Sequence, residues 1–374
     1  MKLCLRCGHA PIHMDNDKSI IGSMTAGLAQ EFSDPDGLIS RAINQIFISP
    51  IDFNEAAQQL SENIQCSHER AEIIIHQLIQ SGHLEDISIA TYLSDSEQER
   101  YSRSANYFAW INRENNPSHW YRQELLRTKS ILILGAGGIG SGIAYHMAAS
   151  GVKEITIIDF DDVELSNLNR QYLFDEYDIG KKKVNVVADK LSRINSSVRV
   201  YPYNMRIENP YDILKLSEGK DLIFRCADSP DELPYWTSDA SITSRIPWID
   251  CSYNGPVIQC CTFVPGKTGC YRCVRQAEKE RLAKEGRSAV FSDHVPSTSP
   301  GFGPIVQISS ALAAYEGIRF LIGLHPNSIG NAIHQNMLAF RCLVWVSGSG
   351  GGGAGRVVWG YGYHVVVHRR PATA

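Results

Sequence analysis

The sequence predicts an α/β fold with a parallel central sheet, preceded by a smaller domain of short strands and helices. Residues 131–134 form an unbroken apolar run that predicts a buried parallel strand, and further apolar runs of strand length follow at 154–158 and 222–224. A glycine-rich turn follows the first run, and a helical pattern follows the turn. This order of strand, turn and helix predicts a βαβ unit.

The N-terminal hundred residues contain shorter elements of a different kind. The predicted elements are a hairpin of residues 2–6 and 12–14, helices near 38–47, 53–64 and 69–79, and a wing strand at 87–92. Strands combined with three helices indicate a winged-helix-like domain. The candidate recognition helix carries Glu69, Arg70 and Glu72 without a basic stripe, so DNA is not the expected partner. An edge strand is instead expected to pair with an extended peptide by β-augmentation.

Glycines dominate the turn between the first core strand and the helix at 141–149. Because glycine has no Cβ, the backbone can approach phosphate oxygens, and the helix N-terminus adds unpaired N–H groups and the positive end of its dipole. The candidate phosphate-binding residues are Gly135, Gly137, Gly138 and Gly140. Asp159, after the second strand, stands where a carboxylate can bond ribose hydroxyls. Up to this point the pattern fits NAD and ATP equally well.

Polar side chains beyond Asp159 distinguish the two nucleotides. They are Asn167 and Arg170 after the second strand, Lys183 after a Gly-Lys-Lys turn, and Asp228 after the third strand. A triphosphate requires more cationic groups than a dinucleotide, together with a carboxylate for Mg²⁺, and this set supplies both. The sequence therefore predicts ATP and Mg²⁺ as cofactors.

The ordered motifs resemble the E1-like adenylating superfamily, which includes the ubiquitin-type activating enzymes and the sulfur-carrier adenylyltransferases of thiamin and molybdopterin synthesis. The resemblance covers roughly Arg100 to His325 and includes Arg100-Tyr-Ser-Arg103, Ser166-Asn-Leu-Asn-Arg-Gln171 and Cys226-Ala-Asp228. It implies a Rossmann-like E1 adenylation core and an ATP-dependent adenylyltransferase activity.

The resemblance also implies roles for individual residues. Asp159 would hold the ribose, Asn167, Arg170 and Lys183 the phosphates, and Asp228 the Mg²⁺. Arg103 would reach the phosphates in the other protomer's site, which implies a homodimer. A substrate carboxylate is already ionised at neutral pH, so it can attack the α-phosphorus of ATP without a general base. The candidate catalytic residues, Arg170, Lys183, Asp228 and Arg103, would then mainly position the reactants and neutralise charge.

A peptide-binding module in front of such a core is similar to the layout of the enzymes that activate the precursor peptides of microcin C and pantocin. This likeness implies a ribosomal precursor peptide whose leader binds the N-terminal domain, in peptide antibiotic biosynthesis. The expected domains are 1–95 for the leader-binding, winged-helix-like clamp, 96–346 for the adenylation core, and 347–374 for an atypical glycine-rich tail. Three points stay open: the peptide, the carboxylate that is activated, and the nucleophile that consumes the adenylate.

Length and composition narrow the functional classes. A chain of 374 residues exceeds what a single core usually holds, so two domains are expected. The net charge of -4 differs from the basic charge that is typical of proteins that bind nucleic acid. The sequence contains no apolar run approaching the roughly 18 residues of a membrane span and no signal-peptide pattern, so no membrane partner is expected. The ten cysteines suit a reducing compartment, which favours the cytoplasm.

The cysteines also raise the question of zinc. Cys270-x-x-Cys273 supplies half of a tetrahedral site, but the second C-x-x-C that relatives carry near the C-terminus is missing and Cys342 stands alone. Cys4 with Cys7, or His364 with His368, would have to complete it, and two buried thiols without metal are the alternative. Cys251, Cys260 and Cys261 are expected to pack in the core and not to form a thioester.

Three other functions remain in competition. A sulfur-carrier adenylyltransferase of the same superfamily would act on a small folded protein ending in Gly-Gly, and the extra N-terminal domain argues against it. An NAD-dependent oxidoreductase and a non-catalytic scaffold are both disfavoured by the joint presence of Arg170, Lys183 and Asp228.

Overall fold

The computed structural model describes residues 1–14, 17–22, 29–111, 118–284, 300–339, 341–346, 356–361 and 364–365. The chain divides into two compact units, unit 1 (Met1–Leu125) and unit 2 (Leu126–Ala374). The domain boundary after residue 95 remains a prediction, and the helix Asp95–Ile111 that follows it lies within unit 1.

Unit 1 contains small antiparallel sheets and helices. In chain order its elements are β1 (Lys2–Leu5), β2 (Ile12–Met14), β3 (Lys18–Ile21), β4 (Gln30–Ser33), α1 (Leu38–Phe47), β5 (Ile51–Asp52), α2 (Phe53–Asn63), α3 (His68–Gln80), β6 (Leu84–Asp86), α4 (Asp95–Ile111) and α5 (Tyr121–Leu126), whose last residue crosses the boundary. The first three helices confirm the sequence prediction. Asp52 caps α2 by accepting a bond from Asn54 N at 3.0 Å, and Ser67 caps α3 by accepting one from Arg70 N at 3.2 Å.

The strands of unit 1 pair differently from the prediction. β1 pairs with β5 and β6, whereas β2 pairs with β3, so the hairpin predicted for residues 2–6 and 12–14 is wrong. The reason is burial, because Leu3 is fully buried with the helices in the core of unit 1, whereas all of β2 is exposed. The wing strand predicted at 87–92 is also wrong. The strand ends at Asp86, whose carboxylate accepts bonds from the backbone N–H and hydroxyl of Ser88 and turns the chain.

Unit 2 begins with the predicted βαβ pattern. Its elements are β7 (Ser130–Leu134), α6 (Gly138–Ser150), β8 (Glu154–Ile158), the 3₁₀ turns Leu165–Asn167 and Glu176–Asp178, α7 (Lys183–Ile194), β9 (Arg199–Tyr203), α8 (Pro210–Leu216), β10 (Leu222–Arg225), α9 (Leu233–Ser244), β11 (Trp248–Asn254), β12 (Val257–Phe263), α10 (Tyr271–Lys284), α11 (Gly303–Leu321), β13 (Asn331–Asn336), β14 (Arg341–Val346), β15 (Arg356–Tyr361) and β16 (His364–Val365). None of the described helices is long and apolar enough to cross a bilayer.

The described strands of unit 2 form one sheet in the order β16-β15-β14-β13-β12-β11-β10-β7-β8-β9. The strands from β11 to β9 are parallel, and those from β12 onward are antiparallel. The chain runs outward from β7 through β8 to β9, then returns to place β10 on the other side of β7. The strand order therefore reverses between β7 and β10, which is where ligands bind in open α/β sheets. This parallel part confirms the predicted α/β fold class.

The antiparallel part was not predicted. β13 and β14 extend the sheet beyond β12, and β15, within the predicted atypical tail, adds a further strand. β11 begins at Trp248 and continues through Asn254. The mixed sheet thus has a parallel half with helical connections and an antiparallel half with hairpins.

The central strand β7 gives a stability prediction. Leu132 is fully buried within an apolar cluster, so Leu132→Ala leaves a cavity and should lower the free energy of unfolding by about 2–5 kcal/mol. The measurement is urea unfolding followed by circular dichroism. Leu338→Ala is the matched control, because this leucine is 82% exposed and its truncation should change little. Equal effects of the two substitutions would contradict the assignment of β7 to the core.

Candidate active site

A cavity of about 540 Å³ opens at the carboxyl ends of β7, β8 and β10. Its walls include the glycine turn after β7, the segment after β8, and the segment Cys226–Ser229 after β10. The start of α7 and the end of β11 also contribute, as do Met205 and Ile207 after β9, Leu233 of α9 and Val306 of α11. The predicted nucleotide-site residues of unit 2 that line this cavity are Gly135, Gly137, Gly138, Asp159, Asn167, Arg170, Lys183 and Asp228. The predicted site residues thus gather at the point where the strand order reverses, between β7 and β10.

Two of the glycines are required by close packing. Gly135 has φ +101°, a conformation that favours glycine, and a methyl group there would lie 2.9 Å from the backbone N of Ala227. Gly140 does not line the cavity directly, but a methyl group on it would collide with the carbonyl oxygen of Gly135. The chain therefore folds back on itself here as only glycine allows.

The helix α6 starts directly at this turn. Its N-cap, Gly137, has no side chain to bond the free N–H groups of the first turn, and its first turn contains no acidic residue. Unpaired N–H groups and the positive end of the helix dipole therefore face the cavity. This geometry suits an anion such as phosphate.

Asp159 ties the glycine turn to the neighbouring strand. Its Oδ2 accepts a hydrogen bond from Ala136 N at 2.7 Å, and its Oδ1 accepts one from Asp161 N at 2.8 Å. Burial raises the pKa of the Asp159 carboxyl above its ordinary value, although both backbone bonds and Lys183 oppose that shift. The carboxylate lies at the rim of the cavity with lone pairs left for a hydroxyl-bearing ligand.

Lys183 is the buried cation of the site. It is 6% exposed, and its Nζ donates to Asp161 Oδ2 at 2.9 Å. Its backbone N–H also bonds to the carbonyl of Asp161. Asp161 is exposed, so an incoming anion can displace its carboxylate from Lys183 without leaving a buried charge unpaired.

Asn167 ends the 3₁₀ turn Leu165–Asn167, and Arg170 lies in the turn that follows it. The Asn167 side chain accepts a bond from Glu164 N at 3.1 Å and so stabilises the turn. Arg170 Nη1 donates to the carbonyl of Ser166 at 2.8 Å and to Asn169 Oδ1 at 3.1 Å. These bonds hold the guanidinium at the cavity wall, while part of its donor set remains for other partners.

Asp228 lies on the opposite wall, after β10. Its side chain is exposed, and within the described residues it forms no hydrogen bond or ion pair. The backbone before it is fixed by a pair that sequence analysis missed. Arg225, buried in β10, bonds to Asp250 Oδ1 at 2.5 Å and to the carbonyl of Ala227 at 2.9 Å. A charged residue in the apolar run Leu222–Arg225 was the signal that could have revealed it.

Arg103 belongs to unit 1 and lies on an exposed face of α4. Its predicted role concerns a second protomer and stays a prediction.

Two of the candidate zinc ligands, Cys270 and Cys273, lie close together. Cys270 and Cys273 lie with their sulfurs 3.1 Å apart at the start of α10, and Cys273 is exposed, so they are not two buried thiols. Within the described residues no group of three or more candidate ligands surrounds a metal position. The side chain of His364 and all of His368 lie outside the described residues. The prediction that these two cysteines bind zinc remains untested.

Cys251 and Cys260 pack in the core, as expected. The hydrogen bond that the Cys260 thiol donates to Cys251, together with burial, raises the pKa of Cys260, which disfavours the thiolate that a thioester mechanism needs.

The ThiF family model matches residues 101–343. The maize adenylyltransferase and sulfurtransferase MOCS3-1 is 36% identical over 223 residues, which cover 59% of this chain and 44% of that protein. The chain therefore spans about half the length of such curated relatives.

Solved structures match over nearly the whole chain. E. coli MccB with ATP is 25% identical with a TM-score of 0.73, covering 94% of this chain and 98% of that one. The Microcin C7 biosynthetic enzyme MccB in complex with N-formylated MccA is 26% identical with the same TM-score, covering 93% and 97%. SeMet PaaA, at 23% identity and a TM-score of 0.71, covers 90% and 98% and shares the fold.

The glycine turn yields a second stability prediction. Gly140→Ala places a methyl group on the Gly135 carbonyl oxygen, so the turn must shift, at a cost of about 1–3 kcal/mol in the free energy of unfolding. Urea unfolding measures this cost. In the matched control Gly269→Ala, the methyl group meets its nearest neighbour at an ordinary 3.5 Å. An unchanged stability of Gly140→Ala would show that the turn is looser than described.

Proposed function

We propose that this chain, which belongs to the ThiF family, is an ATP-dependent adenylyltransferase that activates a carboxylate of a ribosomally made precursor peptide. The observation that carries the proposal is the convergence on one cavity of a free helix N-terminus, the cations Lys183 and Arg170, and the carboxylate of Asp228. A dinucleotide dehydrogenase requires the helix N-terminus but not this set of charges.

The proposed nucleotide pose follows the order of the strands. The ribose lies at Asp159 after β8, and the phosphates lie over the start of α6 between Lys183 and Arg170. Lys183 exchanges its bond to Asp161 for a phosphate oxygen, and Asn167 holds the turn that presents Arg170. The structure of MccB with ATP supports this choice of nucleotide.

Asp228 fits the requirements of a Mg²⁺ ligand. Mg²⁺ is usually bound through one or two carboxylates together with substrate phosphates and waters, and Asp228 presents an unpaired carboxylate to the cavity. When bound, the ion would neutralise charge on the phosphate oxygens. Arg170 and Lys183 would stabilise the charge on the α-phosphorus oxygens and on the departing pyrophosphate, and no protein base is needed because the substrate carboxylate is already ionised.

Unit 1 is the proposed binding site for the leader of the peptide. Its sheet β2-β3-β4 has edges at β2 and β4 that an extended peptide can join by main-chain hydrogen bonds. The MccB structure that contains N-formylated MccA matches 93% of this chain, which includes most of unit 1. We further propose a homodimer in which Arg103 contributes to the partner's site, a cytoplasmic location, and a role in peptide antibiotic biosynthesis.

A sulfur-carrier adenylyltransferase is the second candidate. The identity of 36% to the maize relative favours it, although that match covers 59% of this chain. The two candidates share the ATP site and differ in the acyl substrate, so only substrate tests separate them.

The decisive measurement is exchange of labelled pyrophosphate into ATP. We expect exchange with the peptide encoded by the short reading frame nearest the gene, or with N-formylated MccA as a surrogate, and none with a sulfur-carrier protein ending in Gly-Gly. Exchange with the carrier protein alone would support the second candidate. Asp228→Ala and Arg170→Ala should each abolish exchange, because removing one charge-stabilising group typically costs about 10²–10³-fold in turnover. Retained exchange in both variants would overturn the site assignment.

The raised pKa of Asp159 predicts a pH dependence of nucleotide binding. Because this carboxyl takes up its proton at a higher pH than an ordinary aspartate, affinity for AMP should begin to fall earlier on acidification than the ordinary pKa implies. Calorimetric titration with AMP between neutral and acidic pH measures the effect. Asp159→Asn should bind AMP weakly and lose this pH-dependent step. The same step in the variant would assign it to another group.

A further inference from the structure

Gln171 lines the cavity but has no role in the site as derived above. It lies in the segment after β8, where its backbone N–H donates to the Asn167 carbonyl and its own carbonyl accepts from Phe174 N. Its side chain is almost fully enclosed, because the residue is only 4% exposed. Its Cγ lies 3.7 Å from the place of a methyl group on Gly138, and its Nε2 lies 3.9 Å from that of one on Gly137. The amide thus packs beside the residues that begin α6.

Among the described residues, the side-chain amide of Gln171 has no hydrogen-bond partner. Its Oε1 is enclosed by the protein without a donor, and its Nε2 bonds to no described acceptor. A buried polar group that lacks a partner lowers stability, so the free protein gains nothing from an amide here that an apolar side chain of similar size would not supply. The partner of this amide is therefore expected to be a ligand of the cavity.

The neighbouring helix terminus indicates the chemistry of that ligand. α6 begins with unpaired backbone N–H groups and without an acidic residue in its first turn, so an anion binds favourably there. Nε2 of Gln171 lies beside the N-cap residue Gly137, and its N–H groups add donors at the same position. Phosphate oxygens accept hydrogen bonds, and a carboxamide N–H donates them. Gln171 therefore suits a phosphate oxygen at the start of α6.

We infer that Gln171 is a phosphate-binding residue whose Nε2 donates a hydrogen bond to an oxygen of the ATP phosphates at the N-terminus of α6. The inference rests on the proposed adenylation, because it takes ATP as the nucleotide. Lys183 must release Asp161 before it binds a phosphate, whereas the amide of Gln171 breaks no bond to a described residue. Gln171 is thus a preformed donor, and its contribution does not titrate.

The test compares ATP with adenosine, which lacks the phosphates. In calorimetric titrations, Gln171→Met should weaken ATP about tenfold, the order expected for one lost hydrogen bond to a charged group, and should change adenosine affinity less than twofold. Gln171→Glu keeps the shape of the side chain but places a negative charge beside the phosphates, so it should weaken ATP further. Gln307→Met is the matched control, because this glutamine is half-buried and lies outside the cavity lining.

Urea unfolding separates a ligand contact from a structural role. Gln171→Met removes a buried oxygen that has no described partner, so the urea midpoint should stay the same or rise. A lower midpoint, together with equal weakening of ATP and adenosine, would make the amide a structural group and overturn the inference.

The remaining outcomes separate the inference from the function on which it rests. If the wild-type protein binds neither ATP nor adenosine, the proposed adenylation fails. If it binds both and neither substitution of Gln171 weakens ATP, the amide does not contact the phosphates.

Discussion

The site depends on one short junction between the neighbouring strands β7 and β8. Gly135 N donates to the carbonyl of Ile158 at 2.8 Å, and Ala136 N donates to Asp159 Oδ2 at 2.7 Å. These bonds bend the chain out of the sheet with a positive φ at Gly135 and aim α6 at the cavity. The orientation of the free N-terminus of α6 and the bonding of the Asp159 carboxylate both depend on this bend.

The charges around the junction are arranged in two different ways. Arg225 and Asp250 form a buried ion pair between the adjacent parallel strands β10 and β11. Removal of one partner would leave an unpaired charge in the interior. Lys183 is equally buried, but its partner Asp161 is exposed. The first pair therefore serves as fixed support for the segment before Asp228. The bond between Lys183 and Asp161 can be exchanged for a bond to an anion, and until then Asp161 balances the charge of Lys183.

The sequence predicted those parts of the molecule whose signals are local. The buried run of β7, the glycine turn and the residues following β8 lie close together in the chain, and so their structure follows from periodicity and glycine sterics. β13 was missed because its residues Asn331–Asn336 are mostly polar and its partner β12 lies far away in the chain. The pair of Arg225 and Asp250 was missed for another reason. These residues lie 25 positions apart in the sequence, and only the pairing of β10 with β11 brings them together.

The sheet changes from parallel to antiparallel pairing at β11. This strand is the last parallel one, and a tight hairpin connects it to β12 in place of a crossover helix. The two ends of the groove are therefore built from separable parts. One end lies within the βαβ unit, where Gly135 and Gly140 leave no room for a side chain. The opposite end rests on a hairpin, a type of connection that accepts insertions and altered lengths at low cost. The hairpin end of the cavity can therefore change in length and shape while the βαβ unit at the other end stays the same.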